Sequence, residues 1–335
     1  MVCSVPLALV TRRFTRRRLL IGALVVFVLG CAAGAAAQTY GQLLATRLAI
    51  ASGHCVFWAV VAAAGAALVP HHRRGHALAM VFSGSSLAGV LGIPAVTWLG
   101  QQTSWRVSTL AASGLGLVSL TAIVALLPST DVDEEQQPAP HPSRRRFALV
   151  QVALALTMTG GFAMLTYVTV FLLNLGGFSS GAISPILLVS GAAGVAGVLL
   201  SARFTAHHAR PAMTAGVAGL TVSLAVLALV AYHGTLDVVF LCAYSFSLST
   251  VAVAVQARCL DHAPGSINIA SAMNSAVFNV GIGGGALLGG LLLQHVGARA
   301  IPVAGCVATG LALGLLLAEP WLARLAGSGR YAEAS

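Results

Sequence analysis

Thr11-Arg12-Arg13-Phe14-Thr15-Arg16-Arg17-Arg18 runs directly into an apolar stretch that begins at Leu19. Five arginines in so short a run cannot enter hydrocarbon, and the stretch after them can hardly stay in water, so the junction marks a membrane surface. Cationic flanks stay on the cytoplasmic side. Because every later apolar span must cross and return, this one assignment predicts the side of each following loop.

The rest of the composition agrees with a bilayer setting. Of 335 residues, 58% are hydrophobic and 8% charged, with mean hydropathy +0.91. Soluble domains carry about 25% charged residues, so this chain lacks the polar surface to cover itself in water. The reading is an all-α polytopic membrane protein lying in a lipid bilayer. A net charge of +10 invites a nucleic-acid reading, but all eighteen basic residues are arginines placed mainly in short gaps between apolar spans. Membrane orientation explains that placement, and no nucleic-acid partner is inferred. The six cysteines, Cys3, Cys31, Cys55, Cys242, Cys259 and Cys306, have no paired spacing and read as small apolar residues. Neither a metal nor a cofactor is implied.

A helix needs roughly 20 apolar residues to cross hydrocarbon. Ten stretches meet or approach this: 19–37, 42–68, 77–99, 107–127, 147–173, 183–201, 212–232, 236–255, 270–296 and 301–318. Counting crossings from Arg18 puts fifteen of the eighteen arginines on the cytoplasmic side, leaves Arg106 and Arg299 outside, and places Arg47 within a span. Such asymmetry supports both the span count and the orientation. Residues 1–10 read as the stub of a helix. The acidic, proline-rich segment 128–146 reads as a flexible cytoplasmic linker between an N-terminal half, 1–127, and a C-terminal half, 147–335.

The halves resemble each other. Arg13-Phe14-Thr15 recurs as Arg203-Phe204-Thr205, an offset of 190, and the loop ending Trp105-Arg106 matches the one ending Ala298-Arg299 at an offset of 193. Two matches in loops of equal rank argue for parallel duplicated halves. Two spans precede the basic loop in the second half and none in the first. The pattern is that of a twelve-helix chain lacking its first helix and most of its second.

Polar or conformationally special residues inside apolar spans are the functional candidates. Arg47 stands alone among the arginines in a span and should point to water or a paired acceptor. His54 lies two turns along the same face, followed by Phe57 and Trp58, and could relay protons or simply pack. Asn274 and Asn279 need hydrogen-bond partners in hydrocarbon, and Tyr167 and Asn174 are candidates for an opposing cavity wall. Gly89 and Gly92, with Pro94, and the ridge Gly281, Gly285, Gly289 allow close helix approach or a bend. Arg12, Arg13, Arg16 and Arg17 are gating candidates. None of the eight acidic residues is expected mid-span, with Asp237 read as solvated at the start of the eighth. No GxxxxGK[ST] loop occurs, which rules out energisation by ATP through such a loop in this chain.

These residues resemble the major facilitator superfamily, in particular its drug and sugar proton antiporters of the arabinose-efflux and chloramphenicol-resistance type. The basic cluster at 12–18 is similar to the family's loop after its second helix, although Val5 stands where a glycine is expected and Thr11 near an acidic position. Arg47 matches the arginine of the fourth helix. Gly89, Gly92, Pro94 and Gly100 resemble the fifth-helix antiporter signature, and Asn274, Asn279 and the following glycines resemble the eleventh helix. The resemblance implies a two-half helical bundle in the cell inner membrane that exports a small molecule, drug or sugar, against protons by alternating access. It implies a part for Arg47 in proton coupling. A chain that retains the fold without transport, as an inert or regulatory membrane protein, is the alternative. An enzyme is not expected, because no nucleophile or metal constellation appears.

Overall fold

The computed structural model describes residues 15–68, 80–81, 84, 87–128, 142–230, 234–265 and 267–324. The chain divides into two compact units, Met1–Glu135 and Gln136–Ser335. Among the described residues both are helical, and eight helices are long and apolar enough to cross a membrane.

The first unit contains α1 (Arg16–Ala36), α2 (Tyr40–Ala67), a short π-helical turn (Ala88–Gly92) leading into α3 (Ile93–Gln102), and α4 (Trp105–Leu126). A capping box starts α2: the Gln42 N–H donates to Thr39 Oγ1 at 3.3 Å, and the Thr39 N–H donates to Gln42 Oε1 at 3.4 Å. Glycines set the spacing in this unit. A Cβ on Gly53 would come within 3.0 Å of the Ala23 carbonyl, and one on Gly116 within 2.8 Å of the Phe27 ring. The wide turn before Pro94 has a steric reason, since the proline ring would clash with the carbonyl four residues back in a regular helix.

The second unit contains α5 (Arg144–Thr166), the short α6 (Val168–Asn174), α7 (Ser180–Leu229), α8 (Thr235–Asp261), α9 (Ile267–His295) and α10 (Ala300–Arg324). Here α5 is the central element. Its residues Val150, Ala153, Leu154 and Met158 are fully buried against Met213 and Val217 of α7, Val251, Ala254 and Val255 of α8, and Ala312 and Leu316 of α10. At the crossing with α10, Gly160 and Gly305 face each other so closely that a Cβ on either would sit within 3 Å of the other's carbonyl oxygen. Gly285 and Gly289 bring α9 onto the backbone of α5 and the ring of Tyr167.

Several expectations change. The span 147–173 is broken at Tyr167, which has non-helical ψ 17° and separates α5 from α6. Spans 183–201 and 212–232 correspond to the two membrane-length helices Ser180–Thr205 and His208–Leu229, which follow one another in α7 across a sharp kink at His208 (φ −135°, ψ 42°). Pro211 explains the bend, because its absent N–H and its ring are tolerated only in the first turn of a new helical segment. The linker expected over 128–146 ends sooner, because Arg144 to Arg146 form the first turn of α5, with Ser143 Oγ accepting from the Arg146 N–H at 3.4 Å. Among the described residues a Cβ on Gly89 would meet nothing within 4 Å, and one on Gly92 only Ala88 of its own turn. Residues 1–14, including Arg12 and Arg13, and the acidic part of the linker lie outside the described residues.

The duplication appears in the hydrogen bonds as well. Arg106 Nη2, at the start of α4, donates to the Ala37 carbonyl just past the end of α1 at 3.0 Å. Arg299 Nε, just before α10, donates to the Ala228 carbonyl near the end of α7 at 2.9 Å. In both units the arginine places its positive charge at the electronegative end of the helix.

Candidate functional site

In the first unit, α1, α2 and α4 line a shallow, open apolar groove of about 370 Å³. His54, Phe57 and Trp58 of α2 line it together with Phe27 of α1 and Leu115 of α4. The Trp58 ring meets His54 edge-on at 6.2 Å and Phe57 at 6.0 Å, so the three form one aromatic wall. Arg47, two turns earlier on α2, is exposed and makes no hydrogen bond or ion pair among the described residues. A cation on an apolar helix face calls for an acceptor. Arg17 Nη2 donates to the Val124 carbonyl at the end of α4 at 2.6 Å, while Arg16 is half-buried in the first turn of α1.

In the second unit the polar side chains collect at two places. An amide network joins α5, α8 and α9: Asn274 Nδ2 donates to Gln256 Oε1 at 2.6 Å, Gln256 Nε2 to Ser271 Oγ at 3.1 Å, and Gln151 Nε2 reaches Asn274 Oδ1 at 3.5 Å and Cys259 Sγ at 3.4 Å. Gln151 Oε1 is buried without a partner. Beside the network is a charge cluster. Arg258 and Glu319, each about 3% exposed, form a bidentate pair at 2.8 and 2.6 Å, with His262 Nε2 3.3 Å from the guanidinium and Arg210 Nε 3.9 Å from the carboxylate.

The structure thus brings His54, Phe57 and Trp58 together and seats Asn274 in a network. It does not do the same for the others. Asn279 donates to the Ser275 carbonyl of its own helix at 2.8 Å, Tyr167 donates to the Ala286 carbonyl at 3.1 Å, and Asn174 is exposed at the end of α6. The reading of Asp237 as solvated is overturned. Asp237 is fully buried in the first turn of α8, where the positive end of the helix favours an anion. Glu319 is buried within α10, because that helix runs past Ala318 to Arg324. Arg258, assigned to a loop, lies inside α8. Gln151 and Gln256 were missed, though the rule that singled out the asparagines, an amide inside an apolar span, applies to them equally.

Comparison with known proteins agrees with this architecture. Residues 1–282 match the family model described as Major Facilitator Superfamily. A "Probable sugar efflux transporter" of Mannheimia succiniciproducens is 31% identical over 311 residues, covering 91% of this chain and 78% of that protein. Among solved structures, the human organic anion transporter MFSD10 aligns with TM-score 0.66 at 16% identity, covering 92% of this chain and 78% of that one. The E. coli fucose:proton symporter FucP aligns with TM-score 0.66 at 13% identity, covering 94% and 87%. The chain belongs to the Major Facilitator Superfamily and is a multi-pass membrane protein with the fold of that superfamily's transporters.

Proposed function

We propose that this protein is a secondary exporter of the inner membrane that couples inward proton flow to outward movement of a small molecule, a sugar or drug, by alternating access of its two halves. The observation that carries the reading is the 31% identity to a sugar efflux transporter along nearly the whole chain. The FucP likeness supports coupling to protons only as far as the shared fold allows. On this reading the protein is a carrier and not an enzyme, its partners are the substrate and protons, the basic loops face the cytoplasm, and the stretch 128–143 before α5 joins the halves. Arg47 is the coupling residue, because a guanidinium on a membrane helix that makes no hydrogen bond or ion pair among the described residues is held ready for an anionic group that comes and goes with the cycle.

The test is efflux of radiolabelled sugars and of antibiotics from cells expressing the chain, with and without a protonophore. Export that collapses with the protonophore and with Arg47→Ala, at unchanged membrane abundance, is the expected result. Cells carrying Arg47→Ala that export as well as the parent would remove Arg47 from the mechanism. Absence of export for every compound would favour a chain that keeps the fold without transport.

A further inference from the structure

The first turn of α5 is built against its own electrostatics. Arg144, Arg145 and Arg146 follow one another there, no acidic residue stands with them in the turn, and the N-terminal end of a helix already carries a positive partial charge. The turn is nevertheless fixed in place. Ser143 Oγ accepts from the Arg146 N–H at 3.4 Å, the Ser143 N–H donates to the His262 carbonyl just past α8 at 3.2 Å, and Phe147 is buried with Cys259, Ala263 and Ala270. All three arginines are exposed, and their guanidinium groups make no hydrogen bond or ion pair among the described residues. Four other arginines do find an acceptor: Arg17 at Val124, Arg106 at Ala37, Arg258 at Glu319 and Arg299 at Ala228. Asp261, beside the carbonyl that anchors Ser143, lies 3.6 Å from His262 Nε2 and forms no ion pair with the triplet.

We propose that Arg144, Arg145 and Arg146 hold the phosphate of an anionic phospholipid of the cytoplasmic leaflet, and that this lipid supplies the negative charge which the first turn of α5 lacks. Position and chemistry select this partner. Arg144–Thr166 is a membrane-length span, so residues at its very start lie at the level of the headgroups. On the orientation drawn from the arginine asymmetry that level is the cytoplasmic one, where anionic lipids attract basic residues next to a span. Every basic residue of the chain is arginine, whose planar fork meets phosphate through paired hydrogen bonds. Successive helical residues point about 100° apart, so the triplet fans over about 200° of the circumference of α5 and forms a belt facing headgroups, not a pocket for one small ion. The lipid steadies the start of the helix against which α7, α8 and α10 pack, whatever the protein carries.

The test is native mass spectrometry of the full chain, stripped of lipid in detergent and titrated with dioleoylphosphatidylglycerol or, separately, dioleoylphosphatidylcholine. Three proteins are compared: the parent, the triple variant Arg144→Gln, Arg145→Gln, Arg146→Gln, and a control, Arg18→Gln with Arg203→Gln, that removes exposed cations elsewhere. Phosphatidylglycerol is expected to bind the parent and the control, phosphatidylcholine neither, and the triple variant to lose on the order of a hundredfold in phosphatidylglycerol affinity. The thermal midpoint gives a second reading, raised by phosphatidylglycerol in the parent and unmoved in the triple variant. Undiminished binding by the triple variant overturns the proposal by putting the lipid elsewhere, and an equal loss in the control overturns it by reducing the effect to diffuse attraction. Two further outcomes replace the partner and so overturn it as well. Inorganic phosphate that competes at the same concentration as the lipid makes the ligand a soluble anion, and lipid binding seen only after Asp131→Asn, Asp133→Asn, Glu134→Gln and Glu135→Gln makes it the chain's own acidic run.

Discussion

Glu319 and Arg258 show how much a single pair decides here. Each is almost wholly removed from solvent, and a bidentate contact holds α8 to α10. Removing one partner leaves a buried charge uncompensated, at a cost of about 3–5 kcal/mol, whereas replacing both with apolar residues of similar volume can be neutral. Glu319→Ala is therefore expected to lower the thermal midpoint of the detergent-purified protein strongly, and the double substitution Arg258→Met with Glu319→Met to restore most of it. A double variant as unstable as the single one would show that the pair serves more than to join the helices. Neither residue stood out in the sequence. Both fall at span ends, where a charge is most simply read as solvated, and they are separated by 61 positions. Arg47, by contrast, was legible, because a cation in the middle of an apolar run is conspicuous in any reading.

At the scale of elements, the glycines divide by what lies opposite them. A Cβ on Gly285 would fall 2.5 Å from the Thr159 carbonyl and 2.8 Å from the Ala163 nitrogen, both backbone atoms of α5 that cannot turn aside. Gly285→Val should therefore separate α9 from α5, at a cost of at least the roughly 1–3 kcal/mol of overpacking, read as a lowered thermal midpoint and reduced yield of folded protein. Gly89 faces open space among the described residues, and Gly89→Ala should instead leave the midpoint unchanged or raise it slightly, by about 0.5–1 kcal/mol of helix propensity. The sequence made the two look alike, since both are glycines at four- or three-residue spacing in apolar helices. Spacing states which residues share a helix face but not whether another helix lies on that face. Helix starts carry a local signal of a different kind, one that the apolar spans 42–68, 107–127 and 147–173 did not use. Thr39 with Gln42, Ser104 and Ser143 each accept or exchange a cap hydrogen bond within four residues, a purely local interaction.

For the whole molecule, the asymmetry of arginine placement carries a prediction about sides. Single cysteines at 18 and 133 should react with a membrane-impermeant maleimide only after the cytoplasmic face is opened, and a cysteine at 104 should react from outside. Labelling of 18 and 133 from opposite faces would break the alternation on which the orientation rests. The membrane nature of the chain, its helical class and its superfamily were all determined by the sequence alone. The physical reason is that hydrophobicity, span length and cation placement are one-dimensional quantities set against a bilayer of fixed thickness. Only the tertiary structure decided which polar groups find each other: Gln151 with Asn274, Arg258 with Glu319, and equivalent arginines on equivalent helix ends. Such facts depend on distances between residues far apart in the chain, and no local pattern of side chains encodes them.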